Sequence, residues 1–123
     1  MITGVGSYLP TNKCSNEHLS NFVDTSDEWI SKRSGIKNRH FVTDNEKTSD
    51  MSFFAANKAI ENAEISKNDI DLIVLATTTP DNTFPSTATL VQKKLEINAV
   101  SFDIQAVCAG FVFALSVAKS MMI

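Results

Sequence analysis

The sequence predicts an α/β fold in which a mixed, mainly parallel sheet is flanked by helices. Residues 71–78 form an apolar run that is continuous rather than alternating, which is typical of a buried parallel strand. A second short strand is predicted at residues 100–104, and helical patterns precede and follow it. Strands that alternate with helices favour a parallel sheet, whose ligands usually bind beyond the carboxyl ends of the strands.

The first part of the chain predicts one short strand and one short helix. Residues 2–9 contain two glycines among apolar side chains, and Pro10 ends the predicted strand. Residues 15–23 predict a short helix. Its inward-facing side chains are expected to be Leu19, Phe22 and Val23.

A capping-box pattern predicts the start of the next helix. Residues 25–28 (TSDE) place a hydroxyl side chain three residues before a glutamate. The helix is expected to end near Gly35, a residue that commonly terminates helices. Residues 36–42 are polar, which predicts either an edge strand or a loop.

The second part of the chain contains the clearest helical pattern. Residues 49–64 are amphipathic, and a row of small side chains predicts close packing on a sheet. That row is Met51, Ala55, Ala59 and Ala63. Residues 80–85 predict a loop, residues 86–95 a helix and residues 109–122 an apolar helix.

Composition excludes several classes of function. The formal net charge is −3 and the basic residues form no run, so we expect no nucleic-acid partner. No apolar stretch reaches the roughly 18 residues of a membrane span, so we expect no membrane contact and a cytoplasmic location. Cys14 and Cys108 lie far apart, and neither has a second cysteine or histidine at metal-ligand spacing. We therefore expect no metal site.

Cys108 is the candidate nucleophile, because it lies between a predicted strand and a predicted helix. A tight turn there lifts a side chain out of the sheet, and the amino end of a helix stabilises a thiolate. Its backbone N–H could also stabilise an oxyanion, and Gly110 would allow close approach of another backbone or a substrate. Alternatively, Cys108 is a small buried hydrophobic residue, which is the more common role of free cysteines.

Several motifs in register resemble one family. Residues 106–111 (AVCAGF) resemble the nucleophile motif of β-ketoacyl-acyl-carrier-protein synthase III. The further matching segments, in the same order as in that family, are residues 4–10 (GVGSYLP), 23–30 (VDTSDEWI), 33–40 (RSGIKNRH) and 84–86 (FPS). The resemblance implies the amino-terminal half of a thiolase-like fold. Residues 1–123 are then one amino-terminal domain, incomplete at its carboxy-terminal end.

The resemblance also implies a reaction. Cys108 would take an acyl group, usually acetyl, from coenzyme A, and malonyl-acyl-carrier protein would lose carbon dioxide and attack that acyl group. No cofactor is implied beyond the coenzyme A thioester substrate, and the full-length protein is expected to be a homodimer. The family's catalytic His and Asn lie in its carboxy-terminal half, and nothing in this sequence replaces them.

Four further residues match ligand-contacting positions of the family. Thr25, Trp29 and Arg33 match coenzyme A contacts, since an indole can stack on adenine and a guanidinium can pair with phosphate. The alternatives are that Thr25 caps its helix, that Trp29 anchors a core and that Arg33 is a solvated helix end. Phe84 matches a residue that lines the acyl pocket of the partner subunit, and its alternative role is to anchor its own loop.

The remaining reactive side chains are not expected to take part. His18 and His40 lie in polar segments, and Cys14 lies in what is predicted to be a polar loop.

Two other functions remain open from the sequence. One is a related synthase of the same fold that uses a different starter acyl group. The other is a non-catalytic binding or structural module.

Overall fold

The computed structural model describes residues 1–122, which form nine helices and strands and two short 3₁₀ turns. In chain order the regular elements are β1 (Asn12–Ser15), α1 (Asn16–Leu19), α2 (Asp27–Ser34), β2 (Asn38–Phe41), α3 (Thr48–Ala63), β3 (Leu72–Ala76), α4 (Thr87–Leu95), β4 (Val100–Ile104) and α5 (Gly110–Met121). The 3₁₀ turns are Lys67–Asp69 and Val107–Ala109. The chain divides into a small unit, residues 9–46, and a large unit formed by residues 1–8 and the chain from residue 47 onwards. The two units are described separately.

The small unit is built on the antiparallel pair β1–β2, which aligns Asn12 with Phe41. A buried amide organises it. The Asn16 side chain donates hydrogen bonds of 2.7 Å to the Asp27 carboxylate and to the Ile36 carbonyl, and it accepts one from Arg39. Because a buried polar group is costly unless its hydrogen bonds are made, this network fixes the start of α2 against β2.

The helix α2 starts and ends close to the predicted positions. Its N-cap is Ser26, whose hydroxyl accepts a hydrogen bond from the Trp29 N–H at 3.1 Å. Gly35 ends it in the left-handed conformation, at φ 73°. The predicted end at Gly35 is confirmed, whereas the cap lies one residue after Thr25.

Three predictions for the small unit need correction. The helix predicted at residues 15–23 covers only Asn16–Leu19, because Ser15 pairs with β2 and the chain forms a turn after Leu19. Phe22 and Val23, which were expected to face inward, are exposed. Cys14 lies in β1 with 5% of its surface exposed, so it is a buried strand residue rather than part of a polar loop.

The large unit is built on the parallel pair β3–β4, whose register runs from Leu72 beside Val100 to Ala76 beside Ile104. This confirms the predicted parallel strands. The described residues form two separate two-stranded sheets. Of β3, only Leu75 is buried, so the prediction of a wholly buried strand was wrong. One face of the sheet packs on helices, while the other borders a cleft along α5.

The core of the large unit lies between this sheet and α4. Its members are Leu75, Ala88, Val91 and Leu95, with Phe53, Ala56 and Ile60 of α3 packed beside them. Fully burying a valine or leucine side chain contributes about 2 kcal/mol to the free energy of unfolding.

Residues 2–9 do not form the predicted strand and belong to neither sheet in the described part of the chain. Residues 1–8 lie instead against α3. A Cβ atom on Gly4 would fall 2.3 Å from the Ala59 carbonyl oxygen, and one on Gly6 would fall 2.2 Å from the Ala55 carbonyl oxygen. The start of the chain, rather than the sheet, therefore packs on the alanine row of α3. Only glycine permits so close an approach of the two backbones.

We predict that Asp50, in the first turn of α3, makes the free energy of unfolding depend on pH. The Asp50 carboxylate accepts hydrogen bonds from the Lys94 ammonium at 2.7 Å and from the Lys47 N–H at 2.9 Å. The Lys94 hydrogen bond, and then that from Lys47, lower the pKa of Asp50 below 3.8. Its contribution is therefore full above about pH 4 and is lost as the pH falls through the lower pKa of the folded state.

Urea unfolding of Asp50→Asn checks this. At pH 7 the variant should lose about 1 kcal/mol of unfolding free energy, and the difference from the unsubstituted protein should shrink as the pH falls below about 4. Glu61→Gln, an exposed position on the same helix, is the control and should change stability by less than about 0.5 kcal/mol. A deficit of Asp50→Asn that stays constant down to about pH 2 would contradict the prediction.

Candidate active site

Cys108 lies in the turn that joins β4 to α5. The turn Val107–Ala109 is closed by a hydrogen bond of 2.9 Å from the Ala109 N–H to the Ala106 carbonyl. The Cys108 thiol is free and the residue is exposed, so it is not the buried hydrophobic residue of the alternative interpretation. The catalytic role of Cys108 stays a prediction.

The residue before this cysteine has a strained backbone conformation. Val107 adopts a φ of 45°, in the left-handed region that β-branched residues rarely occupy. Such a conformation costs on the order of 1–3 kcal/mol and persists only where the surroundings hold it. Here it turns the chain sharply from the end of β4 into α5.

Gly110 allows α5 to start close to the sheet. It is buried, and a Cβ atom in its place would lie 3.2 Å from the Ala76 Cβ atom. The sequence predicted a close approach at Gly110, and the structure identifies the neighbour as β3. The Gly110 N–H donates to the Val107 carbonyl, which links the strained turn to the first residue of α5.

A cleft of about 610 Å³ lies beside Cys108. Its walls are the face of β3 that carries Val74 and Ala76, the start of α5 at Phe111, and Thr78. Most of these side chains are apolar. The arrangement therefore places an exposed thiol next to a surface that can hold an apolar group.

Thr77 and Thr78 are cleft residues that the sequence analysis did not single out. The Thr77 N–H donates to the Ile104 carbonyl at 3.2 Å, which continues the β3–β4 pairing towards the cleft. They could have been predicted as cleft residues from their position after the carboxyl end of β3, because ligands of parallel sheets bind at that edge.

Trp29 and Arg33 lie together on α2 of the small unit. The Arg33 guanidinium carbon is 4.2 Å from the centroid of the Trp29 ring, a cation–π contact between residues four apart on the helix. Trp29 is 54% exposed, so within the described residues it is not a core anchor. The pair presents an exposed indole and an exposed positive charge on one helix face.

Thr25 precedes the cap of the same helix and is half-buried. Because Ser26 makes the capping hydrogen bond, capping does not explain Thr25. Thr25 borders a polar pocket of about 330 Å³ whose lining includes Asp27 and Lys37. The pKa of Asp27 is lowered, mainly by the Asn16 side-chain hydrogen bond, so this pocket contains a stable carboxylate.

Phe84 lies in the loop between β3 and α4, and 88% of its surface is exposed. It therefore does not anchor its own loop within residues 1–122. The peptide bond from Phe84 to Pro85 is cis.

Both histidines lie in the small unit. His40 lies in β2 and its Nδ1 contacts the Pro10 carbonyl, while His18 lies on α1. Among the described residues, no cluster of His, Cys, Asp or Glu has the composition of a metal site. No helix in the described part of the chain is long and apolar enough to cross a membrane.

We predict that the strain at Val107 can be relieved without loss of stability. Glycine adopts a φ of 45° at no steric cost, and Val107 is 71% exposed, so Val107→Gly should leave the unfolding free energy unchanged or raise it by up to about 1 kcal/mol. The matched control is Val100→Gly in β4, 60% exposed, which should lose about 1 kcal/mol. Urea unfolding measures both, and an equal loss in the two variants would argue against a strained turn.

The chain is similar in sequence to curated synthases. It is 60% identical over 121 residues to the β-ketoacyl-[acyl-carrier-protein] synthase III of Ehrlichia canis, covering 98% of this chain and 38% of the relative. It is 57% identical to the protein of the same name from Neisseria gonorrhoeae, again covering 38% of that protein. The chain thus spans less than two-fifths of the length of these relatives. No protein-family model matches the chain.

Solved structures agree with the sequence comparison. The 3-oxoacyl-[acyl-carrier-protein] synthase III of Aquifex aeolicus superposes with a TM-score of 0.91 at 47% identity, covering 98% of this chain and 39% of that chain. The enzyme of the same type from Thermus thermophilus gives a TM-score of 0.88 at 37% identity. The predicted α/β class and thiolase-like fold are confirmed, and the chain is similar over 98% of its length to β-ketoacyl-[acyl-carrier-protein] synthase III.

Proposed function

We propose that the protein carrying this chain is an acyltransferase that starts fatty-acid synthesis. It would condense acetyl-CoA, or another acyl-CoA, with malonyl-acyl-carrier protein. The observation that carries the proposal is the exposed Cys108 on a strained strand-to-helix turn beside an apolar cleft. The 60% identity to a protein named for this synthase activity supports it.

In the first step, the Cys108 thiolate attacks the carbonyl carbon of the acyl-CoA thioester. The bond from that carbon to the coenzyme A sulfur breaks, and coenzyme A leaves as its thiolate. The acyl group is then held as a thioester of Cys108, with its chain against the apolar cleft walls. The exposed thiol, the turn and the amino end of α5 support this role, because each favours an accessible and nucleophilic sulfur.

In the second step, the malonyl group of the carrier protein loses carbon dioxide, and the electron pair left on its α-carbon attacks the acyl carbonyl. A carbon–carbon bond forms, the bond to the Cys108 sulfur breaks, and the thiolate is restored. We propose that the histidine and asparagine of the family assist this step from elsewhere in a longer protein. The chain would be its amino-terminal thiolase-like domain. His18 and His40, both in the small unit, are not assigned to the reaction.

The coenzyme A part of the substrate is proposed to bind at α2. The exposed Trp29 ring would stack on adenine and the neighbouring Arg33 would pair with phosphate, with Thr25 as a third contact. The exposed faces of the first two residues support this assignment, because both are free to meet a ligand.

Phe84 is proposed to line the acyl pocket of a second subunit in a homodimer. Its exposure supports the proposal, since an aromatic ring that is 88% exposed within one chain is available to a partner.

We further propose that the enzyme is cytoplasmic and that its reaction needs neither a metal nor a cofactor beyond the coenzyme A thioester substrate.

A condensation assay tests the proposed function. With acetyl-CoA and malonyl-acyl-carrier protein, the longer protein that carries this chain should form 3-oxobutanoyl-acyl-carrier protein and release one carbon dioxide per product. Cys108→Ser should lower the rate by more than about a thousandfold, whereas Cys14→Ser should retain most of the activity. Equal activity of the Cys108→Ser variant and the unsubstituted protein would rule out the assigned nucleophile.

A synthase with another starter group is the second candidate. The chain is 34% identical, at a TM-score of 0.85, to a priming β-ketosynthase of the R1128 polyketide pathway. Values of kcat/KM measured across acyl-CoA chain lengths distinguish the two candidates: a maximum at acetyl-CoA supports the first and a maximum at a longer chain the second. Absence of acyl transfer from every acyl-CoA would favour the non-catalytic alternative.

A further inference from the structure

Asp103 of β4 makes two short polar contacts at the start of α4. Its two carboxylate oxygens accept hydrogen bonds of 2.7 Å each from the Thr87 N–H and the Ala88 N–H. These are the first two N–H groups of the helix, and they point a positive dipole end at the carboxylate. Ser86 satisfies a different group, because its hydroxyl accepts from the Thr89 N–H.

The same helix start also holds the loop that precedes it. The buried Thr87 hydroxyl accepts a hydrogen bond of 3.0 Å from the Asp81 N–H. The Asp81 carboxylate in turn accepts one of 2.9 Å from the Ser49 N–H at the start of α3. Asp103, Thr87, Asp81 and Ser49 thus form one chain of contacts from β4 to α3.

This chain of contacts brackets the loop of residues 80–85. Asp81 lies at the beginning of the loop, Thr87 lies just beyond its end, and Phe84 lies between them. At the other end of the chain of contacts, Asp103 lies in the strand that leads directly to Cys108. The loop and the thiol are therefore tied to the same strand.

We propose that Asp103 is a positioning residue that holds the loop of residues 80–85, and with it Phe84, in a fixed place on β4, and thereby sets which acyl chain lengths fit the pocket that Phe84 is proposed to line in the second subunit. The effect on acyl choice rests on the proposed function, whereas the effect on the loop does not. An ionised acceptor suits this task because its two short hydrogen bonds are stronger and more directional than those of neutral groups.

The alternative is that Asp103 only caps α4. Asp103→Asn separates the two roles, since it keeps the size of the side chain but replaces one acceptor oxygen with an NH₂ donor that faces a backbone N–H. Ser86→Ala is the matched control, because it removes a capping hydrogen bond from the same helix end without touching the link to β4.

Amide hydrogen exchange, resolved residue by residue, is the first measurement. In Asp103→Asn, exchange at the Asp81 and Ser49 N–H groups, neither of which is bonded to Asp103, should accelerate about tenfold. Ser86→Ala should leave both unchanged. If Asp103→Asn accelerates only Thr87 and Ala88, Asp103 is a helix cap and the proposal is overturned.

The ratio of kcat/KM for acetyl-CoA to that for hexanoyl-CoA is the second measurement. The ratio should change about tenfold in Asp103→Asn and stay constant in Ser86→Ala. A change in exchange without a change in the ratio overturns the role in acyl choice. If the unsubstituted protein transfers no acyl group while exchange responds as expected, the proposed function fails and the link from Asp103 to the loop stands.

Thr87→Val provides a second route if Asp103→Asn does not fold. Valine keeps the N–H that donates to Asp103 and the approximate volume of the buried side chain, but it removes the hydroxyl that accepts from Asp81. Exchange at the Asp81 N–H should accelerate and the ratio should shift in the same direction. An unchanged ratio in this variant, with faster exchange at Asp81, contradicts the proposal.

Discussion

The packing of α4 against the parallel pair β3–β4 is the constraint on which the rest of the large unit depends. Ala88, Val91 and Leu95 bury one face of the helix on Leu75, and the larger two contribute about 2 kcal/mol each. The charged hydrogen bonds from the start of α4 to Asp103 add an effect of similar size. Apolar burial holds the helix on the sheet without fixing its direction, because it is non-directional. The two hydrogen bonds fix which end of α4 meets the end of β4.

This arrangement also supports the strained turn beside Cys108. The strand pairing extends past β3 through the hydrogen bond from Thr77 to Ile104, and Gly110 places the start of α5 against Ala76. Between those two fixed points the chain must reverse sharply, and Val107 adopts the left-handed conformation. A cost of roughly 1–3 kcal/mol is sustained there because the elements on both sides are packed. The exposed position of the thiol thus follows from packing elsewhere in the unit.

The elements that could be predicted from the sequence are those with a strong local signal. The apolar run of β3 and the amphipathic pattern of α3 were found because their apolar side chains pack on neighbours within the same unit. The helix α5 was found from its continuous apolar sequence, although Phe111, Val112 and Phe113 are exposed within the described residues. Gly35 was correctly predicted as a helix end because glycine readily adopts the left-handed conformation that terminates a helix.

The misplaced elements depend on partners that are distant in sequence. Residues 2–9 have a strand-like pattern, yet in the described residues Gly4 and Gly6 lie on the alanine row of α3. Cys14 became a buried strand residue because its segment pairs with β2, a pairing that no local pattern announces.

The residues of the candidate site also fall into those that could be predicted from the sequence and those that required the structure. Cys108 and Gly110 could be located from the order strand, cysteine, glycine, helix. The exposure of Trp29 and its contact with Arg33 required the structure, because a single tryptophan on a short helix is equally compatible with a core. The links from Asp103 through Thr87 to Asp81 could not be predicted, since each joins residues whose separation in the chain carries no periodic signal.

The central claim is that Cys108 carries the acyl group, and intact mass spectrometry tests it most directly. After incubation with acetyl-CoA, the protein should gain the mass of one acetyl group, and peptide mapping should assign that group to Cys108. Cys108→Ser should gain none under the same conditions, whereas Cys14→Ser should gain one. No mass gain in the unsubstituted protein, or acetylation that persists in Cys108→Ser, would contradict the account.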